Sequence, residues 1–280
     1  MISTPVALLV LLSALMHAGW NYLVKASPDR LLDTVGFAIA GSLVSAGLLP
    51  FFEPPAPASW PWLGGTVFIH VAYFLAVVET YRQADLSLAY PVMRGLAPVL
   101  VALAAPLAGD VTSPTLVTGV GLIATGIVFP AALGVHRGAV TGRSLVWPLG
   151  VAALIAFYTL VDGIGVRRSG SPVAFTLWLF LLDAWGIYAV ARWRRGPMVM
   201  THLRARVLPS LAGSVLTVGS YGIVLWAMSV ASIPAVAALR ETSVIFAALL
   251  GALLLKERMG PPRIAGAALV AAGAAVIRWA

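Results

Sequence analysis

Two arginines lie deep inside long apolar stretches of the chain. Arg94 is in the stretch of residues 86–108 and Arg240 in the stretch of residues 232–255, each about nine residues from its start. A charged side chain at this depth costs ~2.5–3.5 kcal/mol on membrane-insertion scales, so its presence indicates a partner or a function. The planar guanidinium group binds carboxylates and phosphates through paired hydrogen bonds. The two arginines therefore predict a site for an anionic or zwitterionic solute inside a bilayer.

A structural role is the competing interpretation of both arginines. In that interpretation each forms a salt bridge with an acid elsewhere in the bundle, and the candidate partners are Glu79, Asp162 and Asp183. Glu241 directly follows Arg240, but adjacent side chains on a helix point about 100° apart, so these two need not pair. Glu241 is included among the substrate-binding candidates.

The second group of residues that could bind a solute or a proton is a polar stripe on the first apolar segment. Its members recur at every fourth position and are Ser13, His17, Asn21 and Lys25. Such a stripe must face other helices and not lipid. His17 and Asn21 are substrate-binding candidates, with interhelical hydrogen bonding as the alternative role. Lys25 either takes part in ion coupling or extends its ammonium group to the membrane surface.

Three acids in other apolar segments are candidates for proton coupling. They are Glu79, Asp162 and Asp183, and Lys25 joins them because it aligns with Asp162 when the two halves of the chain are superposed. A carboxyl group that is desolvated in a helix bundle can load and release a proton. The alternative for each acid is a salt bridge with a buried cation.

Aromatic and imidazole side chains complete the predicted binding site. His70 and Tyr73 share one face of a predicted helix, and further amphipathic walls are offered by Trp20, Tyr90, Tyr158 and Tyr221. Aromatic rings near helix ends also serve as anchors at the membrane interface, which is the alternative role.

The composition predicts an all-α integral membrane protein. The chain is 60% hydrophobic and 10% charged, whereas soluble domains carry about 25% charged residues. A length of 280 residues accommodates ten helices of ~20 residues with short loops. The predicted segments are 4–25, 32–52, 60–82, 86–108, 114–134, 145–166, 172–192, 207–229, 233–255 and 261–279.

Charge and cysteine content narrow the range of partners. The net charge of +8 lies mostly in loops, where it suits anionic lipid headgroups, and no soluble surface remains for nucleic acid. The absence of cysteine excludes disulfides, thiolate metal sites and cysteine nucleophiles. No metal or cofactor is expected.

An internal repeat divides the chain into residues 1–137 and 138–280, each with five predicted helices. Because five is odd, the two halves must be inverted relative to each other in the membrane. The alignment pairs residues 20–25 with 157–162, Arg94 with Arg240, Asp110 with Glu257, Gly119 with Gly266, and Gly126 with Gly273. The predicted fold is a 5+5 inverted repeat of ten transmembrane helices.

Prolines flank the first of the two arginines. Pro91 precedes Arg94 by three residues and Pro98 follows it by about a turn. Proline removes a backbone hydrogen bond inside a helix, so the fourth segment is expected to be kinked or partly unwound near its charge.

Several segments resemble the EamA branch of the drug/metabolite transporter superfamily. They are AYPVMRGLAPVLVALAAPLAGD (89–110), ALRETSVIFAALLGALLLKERMGPPRIAG (238–266), HAGWNYLVK (17–25) and FYTLVDGIGVR (157–167). One departure is Asp110, which stands where the family usually has glutamate, whereas Glu257 keeps the second position. The resemblance covers nearly the whole chain.

The resemblance implies a ten-helix bundle with a central cavity that carries small metabolites, often amino acids or related compounds, by alternating access. We therefore expect a secondary active exporter or exchanger in the cell (inner) membrane. Its expected partners are a small polar solute, a proton or counter-solute, and membrane lipids, in a monomer or a homodimer.

A membrane-embedded enzyme acting on a lipid or isoprenoid phosphate is the alternative function. Its site would contain His17, Asp162 and the two arginines. Such enzymes usually need clustered acids for a metal ion, or an acid/base pair on an aqueous rim. The sequence contains no Asp-rich or multi-histidine cluster, so transport is the favoured prediction.

Overall fold

A computed structural model describes residues 2–83, 86–134, 142–254, 256 and 260–279, and its regular elements are all helices. The α-helices are α1 (Thr4–Lys25), α2 (Arg30–Leu48), α3 (Trp60–Gln83), α4 (Leu86–Ala104), α5 (Pro114–Gly134), α6 (Gly142–Arg167), α7 (Pro172–Arg195), α8 (Met198–Ala205), α9 (Val207–Val230), α10 (Ile233–Arg240), α11 (Ser243–Leu254) and α12 (Pro261–Ile277). Short 3-10 turns follow α2 and α4 and precede α3.

The predicted all-α membrane class is confirmed. In the described ranges, nine segments are long and apolar enough to cross a membrane, and α10 and α11 together form one of them. The tenth predicted segment forms α12, an apolar helix of 17 residues. Ten crossings in a 5+5 repeat therefore remain a prediction. Glu257 and the proposed boundary at residue 137 lie outside the described residues.

Pairs of helices from the two halves pack against each other. Helix α5 lies along α12 and α2 lies along α7. Helices α3 and α4 contact α6, the first helix of the second half. Their counterparts in the predicted repeat, α9 and the α10–α11 segment, contact α1, the first helix of the first half. These contacts between halves bring the middle of α4 close to the α10–α11 segment, where the two buried arginines meet.

Glycines allow α5 and α12 to approach at backbone distance. A Cβ atom added to Gly126 would lie 2.6 Å from the carbonyl oxygen of Gly266, and one added to Gly273 would lie 2.6 Å from that of Gly119. The reverse additions clash in the same way. Small residues at such crossings permit close van der Waals packing in membranes.

The helical break occurs in the ninth segment and not in the fourth. Helix α4 runs without interruption through Pro91 and Pro98, so the expected partial unwinding near Arg94 is wrong, and a kink there stays a prediction. Instead, α10 ends at Arg240 and α11 starts at Ser243. The backbone between them tightens, because Thr242 N bonds Leu239 O at 3.1 Å. The Thr242 hydroxyl donates to the same carbonyl at 2.7 Å, and this side-chain bond competes with regular helix geometry.

Two polar clusters lie at opposite ends of α7 and hence at opposite ends of the bundle. The first, termed the Arg167 cluster, precedes α7. Arg167 Nη2 contacts Asp110 Oδ1 at 3.0 Å and Ala231 O at 2.8 Å, and Asp110 Oδ2 accepts a bond from Ile233 N at 2.7 Å. The cluster ties the end of α6 to the α4–α5 and α9–α10 connections.

The second cluster, termed the Asp33 cluster, follows α7. The buried Asp33 carboxylate in the first turn of α2 lies 2.6 Å from His202 Nε2 on α8. Arg206 at the start of α9 donates to both oxygens of Asp33 at 2.8 and 3.0 Å. Asp29 at the N-terminus of α2 also pairs with Arg195 at the end of α7, at 3.4 Å. The cluster therefore fixes α2 to α8 and α9.

Candidate functional site

The two buried arginines meet at one carboxylate, and we call Arg94, Glu241 and Arg240 the charge triad. Arg94 Nη2 lies 2.9 Å from Glu241 Oε2, and Arg240 Nη2 lies 4.0 Å from Glu241 Oε1. Arg94 Nη2 also donates to Ser243 Oγ at 3.3 Å. The three charged side chains are at most 9% exposed. The triad brings α4 together with the break between α10 and α11.

The observed pairing corrects the structural alternative considered from the sequence. In the described residues, neither arginine forms an ion pair with Glu79, Asp162 or Asp183. Glu241 is the partner because α10 ends at the preceding residue. The tightened turn redirects the Glu241 side chain toward Arg94, whereas a continuous helix would fix the angle between neighbouring side chains.

The electrostatics of the helix ends support this arrangement. Arg240 is the last residue of α10, where the negative end of the helix dipole favours a cation. Glu241 precedes the N-terminus of α11, where the positive end favours an anion. All eight residues of α10 are buried, so these effects act in a medium of low dielectric constant.

The triad retains capacity for one further negative charge. It contains two guanidinium groups and one carboxylate, which leaves one excess positive charge. The Nε atoms of Arg94 and Arg240 are buried and form no hydrogen bond within the part of the chain that the structure describes. Buried donors normally have partners, so these two are available to a further acceptor.

Tyrosines form a wall beside the charge triad. Tyr73, Tyr90, Tyr158 and Tyr221 pack around one cluster of buried residues between α3, α4 and α6. The rings of Tyr73 and Tyr158 lie 5.7 Å apart in an edge-to-face arrangement. The Arg240 guanidinium carbon lies 5.9 Å from the centre of the Tyr221 ring, within the range of a cation–π contact.

A second buried group, termed the acid–histidine cluster, consists of Asp162, His70, Asp183 and Tyr221. His70 Nδ1 lies 3.2 Å from Asp183 Oδ2, and His70 Nε2 lies 3.9 Å from Asp162 Oδ2. The Tyr221 hydroxyl donates to Asp162 Oδ2. The His70 ring packs edge-to-face on Tyr158, with 4.7 Å between ring centres. Four different helices therefore contribute to this cluster.

The stripe on α1 divides into two parts. Ser13 bonds the backbone and hydroxyl oxygens of Ser220 on α9, so its contacts are interhelical. Trp20 Nε1 donates to His17 Nδ1 at 3.3 Å, and Asn21 Nδ2 donates to the His17 carbonyl at 2.7 Å. The half-buried His17 ring experiences the charges of Arg94 and Arg240, which places it beside the triad.

Two predicted coupling residues lie at the margins of the bundle. Lys25 is exposed at the last residue of α1. Glu79 is 26% exposed near the end of α3 and binds Arg82 at 3.0 Å and Gln83 at 2.5 Å. The structure thus gathers Asp162 and Asp183 around His70, whereas Glu79 has local partners on its own helix.

The sequence suggested Tyr221 only as a wall of the pocket, and it did not single out Ser243. Tyr221 is one of several tyrosines in apolar segments, and only the fold shows that it contacts both Arg240 and Asp162. The run Glu241-Thr242-Ser243 gave a weak signal for the break, since hydroxyl side chains compete for backbone bonds.

A surface pocket lies away from the charge triad. Its volume is about 320 Å³, and it is lined by Trp62, Leu107, Ala108, Gly109, Ile164, Arg167 and Arg168. It therefore adjoins the Arg167 cluster at one end of the bundle.

The bundle of long apolar helices around buried charges defines a multi-pass membrane protein. Residues 142–279 match the EamA-like transporter family, and the match covers the second of the two predicted repeats. This match confirms the family resemblance that the sequence predicted.

The fold as a whole has a counterpart among solved structures. One, described only as a crystal structure of a protein, is 18% identical and superposes with a TM-score of 0.76 over 98% of each chain. This likeness concerns the fold alone. Comparison with curated proteins gives no match.

Proposed function

We propose that this protein is a secondary active transporter that exports or exchanges a small anionic or zwitterionic metabolite, such as an amino acid or a related compound. The observation that carries the proposal is the buried charge triad at a helix break within a membrane-spanning segment. Interrupted helices with polar groups at the break are typical of substrate sites in secondary transporters.

The chemistry of the triad favours this solute class. One carboxylate of a solute would neutralise the excess positive charge and bind the unpaired guanidinium Nε atoms. Glu241 offers an acceptor for an ammonium group once Arg94 turns toward the solute. The tyrosine wall, together with His17, Trp20, Asn21 and His70, would surround the apolar part of such a solute.

Two features support alternating access between inverted halves. The predicted repeat pairs Gly119 with Gly266 and Gly126 with Gly273. A twofold axis would therefore map the contact between Gly119 and Gly273 onto the contact between Gly126 and Gly266, and both contacts are present. The Arg167 and Asp33 clusters connect helices at opposite ends of the bundle. Breaking one cluster at a time would open one end at a time.

The remaining parts of the proposal concern location and assembly. We place the transporter in the cell (inner) membrane as a monomer or homodimer, with lipids as its surroundings. The match to a transporter family favours transport over the lipid or isoprenoid phosphate enzyme considered as the alternative.

A thermal-shift screen of the purified protein tests the proposed solute class. The panel contains amino acids, phosphonates, sugars and cationic drugs, because a solute that binds the folded state must stabilise it. We expect stabilisation by amino acids or phosphonates in the wild type and its loss in Arg94→Gln. The matched control is Arg278→Gln, which alters an exposed arginine bound to Thr4. Stabilisation by cationic drugs alone, or an unchanged shift in Arg94→Gln, would contradict the proposal.

A further inference from the structure

The acid–histidine cluster places three proton-exchanging side chains next to one another. Asp183 on α7 lies 3.2 Å from one ring nitrogen of His70 on α3, and Asp162 on α6 lies 3.9 Å from the other. An imidazole can accept a proton at one nitrogen and release one from the other, so it can transfer protons between two carboxylates.

The exposed fractions of the three side chains indicate the direction in which a proton would move. The side chain of Asp183 is 19% exposed and that of His70 is 11% exposed, whereas Asp162 is fully buried. Asp162 Oδ1 and Asp183 Oδ1 have no hydrogen-bond partner in the described ranges. A proton would therefore enter at Asp183, pass through His70 and end on Asp162.

One bound proton would balance the charges buried in the protein interior. The charge triad and the acid–histidine cluster together contain two arginines and three carboxylates. With a neutral His70, one negative charge is in excess, and one bound proton restores neutrality. An uncompensated charge inside a membrane is costly, so the protonation of this cluster and the charge of a bound solute depend on each other.

Tyr221 connects the two charged groups. Its hydroxyl donates to Asp162, and its ring lies under the Arg240 guanidinium at 5.9 Å. Other polar or charged groups around the cluster include Thr66, which interacts with Asp162; Tyr158, whose ring contacts the imidazole; and Arg240, whose charge acts on it. A change in the Asp162–Tyr221 hydrogen bond would therefore alter the contact between Tyr221 and Arg240 of the triad.

We propose that the acid–histidine cluster is the proton-binding site of this transporter and that Tyr221 links it to the charge triad. The proton moves from Asp183 to His70 Nδ1, the unprotonated ring nitrogen that faces it. The opposite nitrogen, Nε2, then releases its proton to the Asp162 carboxylate through one bridging water, because the 3.9 Å between them exceeds a direct hydrogen bond, and Asp162 becomes a neutral carboxyl group. The neutral group binds the Tyr221 hydroxyl less strongly than the carboxylate does, since charge-assisted hydrogen bonds are stronger. Tyr221 and Arg240 are then free to shift together. This coupling role rests on the proposed transport function.

Infrared difference spectroscopy tests proton binding without any solute. Wild-type protein in lipid is exposed to a downward pH jump, and the carboxyl C=O and imidazole ring bands are recorded. We expect both bands to change together, the carboxyl band to disappear in Asp162→Asn, and both changes to be lost in His70→Gln. An unchanged spectrum in Asp162→Asn, or an imidazole band that changes independently of the carboxyl band, would overturn the proton-site assignment.

Proteoliposomes test the link to transport, with radiolabelled L-glutamate as the probe because it carries an ammonium group and a net negative charge. Counterflow at equal pH measures solute exchange, and uptake under an imposed pH gradient measures coupling. In Tyr221→Phe, which keeps the ring in the wall and removes the hydroxyl, we expect uptake under the gradient, divided by counterflow at equal pH, to fall to the value of a de-energised membrane. Tyr188→Phe, on a tyrosine of α7 that packs edge-to-face on Trp185, is the control and should behave as the wild type does.

The outcomes separate the two proposals. Counterflow without any gradient response in the wild type, or a full response in Tyr221→Phe, contradicts the coupling proposal and leaves transport standing. Absence of counterflow in the wild type contradicts the proposed solute class, and the infrared result then decides the proton site alone. Monodisperse elution and a wild-type far-ultraviolet spectrum are required of each variant, and Asp162→Asn preserves side-chain volume for this reason.

Discussion

At the scale of single residues, the protein keeps two arginines in its interior because they share one acid. The sequence identified both arginines from the cost of a charge in an apolar segment. It did not identify Glu241 as their common partner, since that contact depends on a turn that no strong local pattern marks. The buried acids elsewhere serve a separate cluster around His70. The partner of each buried charge in this bundle therefore depends on how the helices pack, more than on the distance between the residues in the sequence.

Removal of the acid should destabilise the fold more than removal of one arginine. Glu241→Gln leaves two guanidinium groups facing each other, and breaking a buried pair in this way costs about 3–5 kcal/mol. Arg94→Gln should cost less, because Arg240 still lies 4.0 Å from Glu241. Unfolding of both variants in the same detergent measures the difference. Equal stability of Glu241→Gln and the wild type would show that the triad contributes nothing to folding.

Accessible labelling tests the orientation of α1. The chain has no natural cysteine, so a single cysteine at position 17 or at position 15 can be labelled without background. We expect His17→Cys to react with a water-soluble maleimide and to be protected by a bound amino acid. Leu15→Cys, whose parent side chain is 43% exposed on another face, should react without protection. Protection at position 15 and not at position 17 would mean that α1 presents the other face to the site.

At the scale of helices, apolar segments were predictable and their interruptions were not. Segments of ~20 apolar residues indicate spans from length and hydropathy alone, and the observed helices follow those limits closely. The short helix α8 was missed because eight mixed residues carry no such signal. Prolines predicted a kink or partial unwinding in α4, but this helix runs on without unwinding. The interruption lies between α10 and α11 instead, where the Thr242 hydroxyl bonds the Leu239 carbonyl.

The crossing of α5 and α12 depends on its glycines. A Cβ atom at Gly126 would lie 2.6 Å from a backbone carbonyl, which cannot move as a flexible side chain can. Gly126→Ala should therefore destabilise the protein by about 1–3 kcal/mol, the usual cost of overpacking. Gly121→Ala on the same helix meets nothing within 4 Å and serves as the control. Thermal unfolding in detergent compares the two, and an equal effect of both substitutions would exclude a specific crossing contact.

At the scale of the whole molecule, the two end clusters should control which end of the bundle opens. Arg167→Gln removes the contacts that join α6 to Asp110 and Ala231, and Asp33→Asn weakens the contacts at the other end. Spin labels placed on the loops at each end would report the distances between helices. We expect Arg167→Gln to widen only the end that carries the Arg167 cluster. Widening of both ends, or of neither, would argue against a role of the cluster in closure.

Solute exchange decides whether the buried arginines bind the transported solute. Proteoliposomes containing wild-type protein, Arg240→Gln or Arg278→Gln are loaded with unlabelled amino acid, and entry of the same labelled amino acid is followed. We predict exchange by the wild type and by Arg278→Gln. Arg240→Gln should lose most of it, since truncating a buried charge contact costs about 2–5 kcal/mol of binding. Undiminished exchange by Arg240→Gln would contradict the claim that the buried arginines bind the solute.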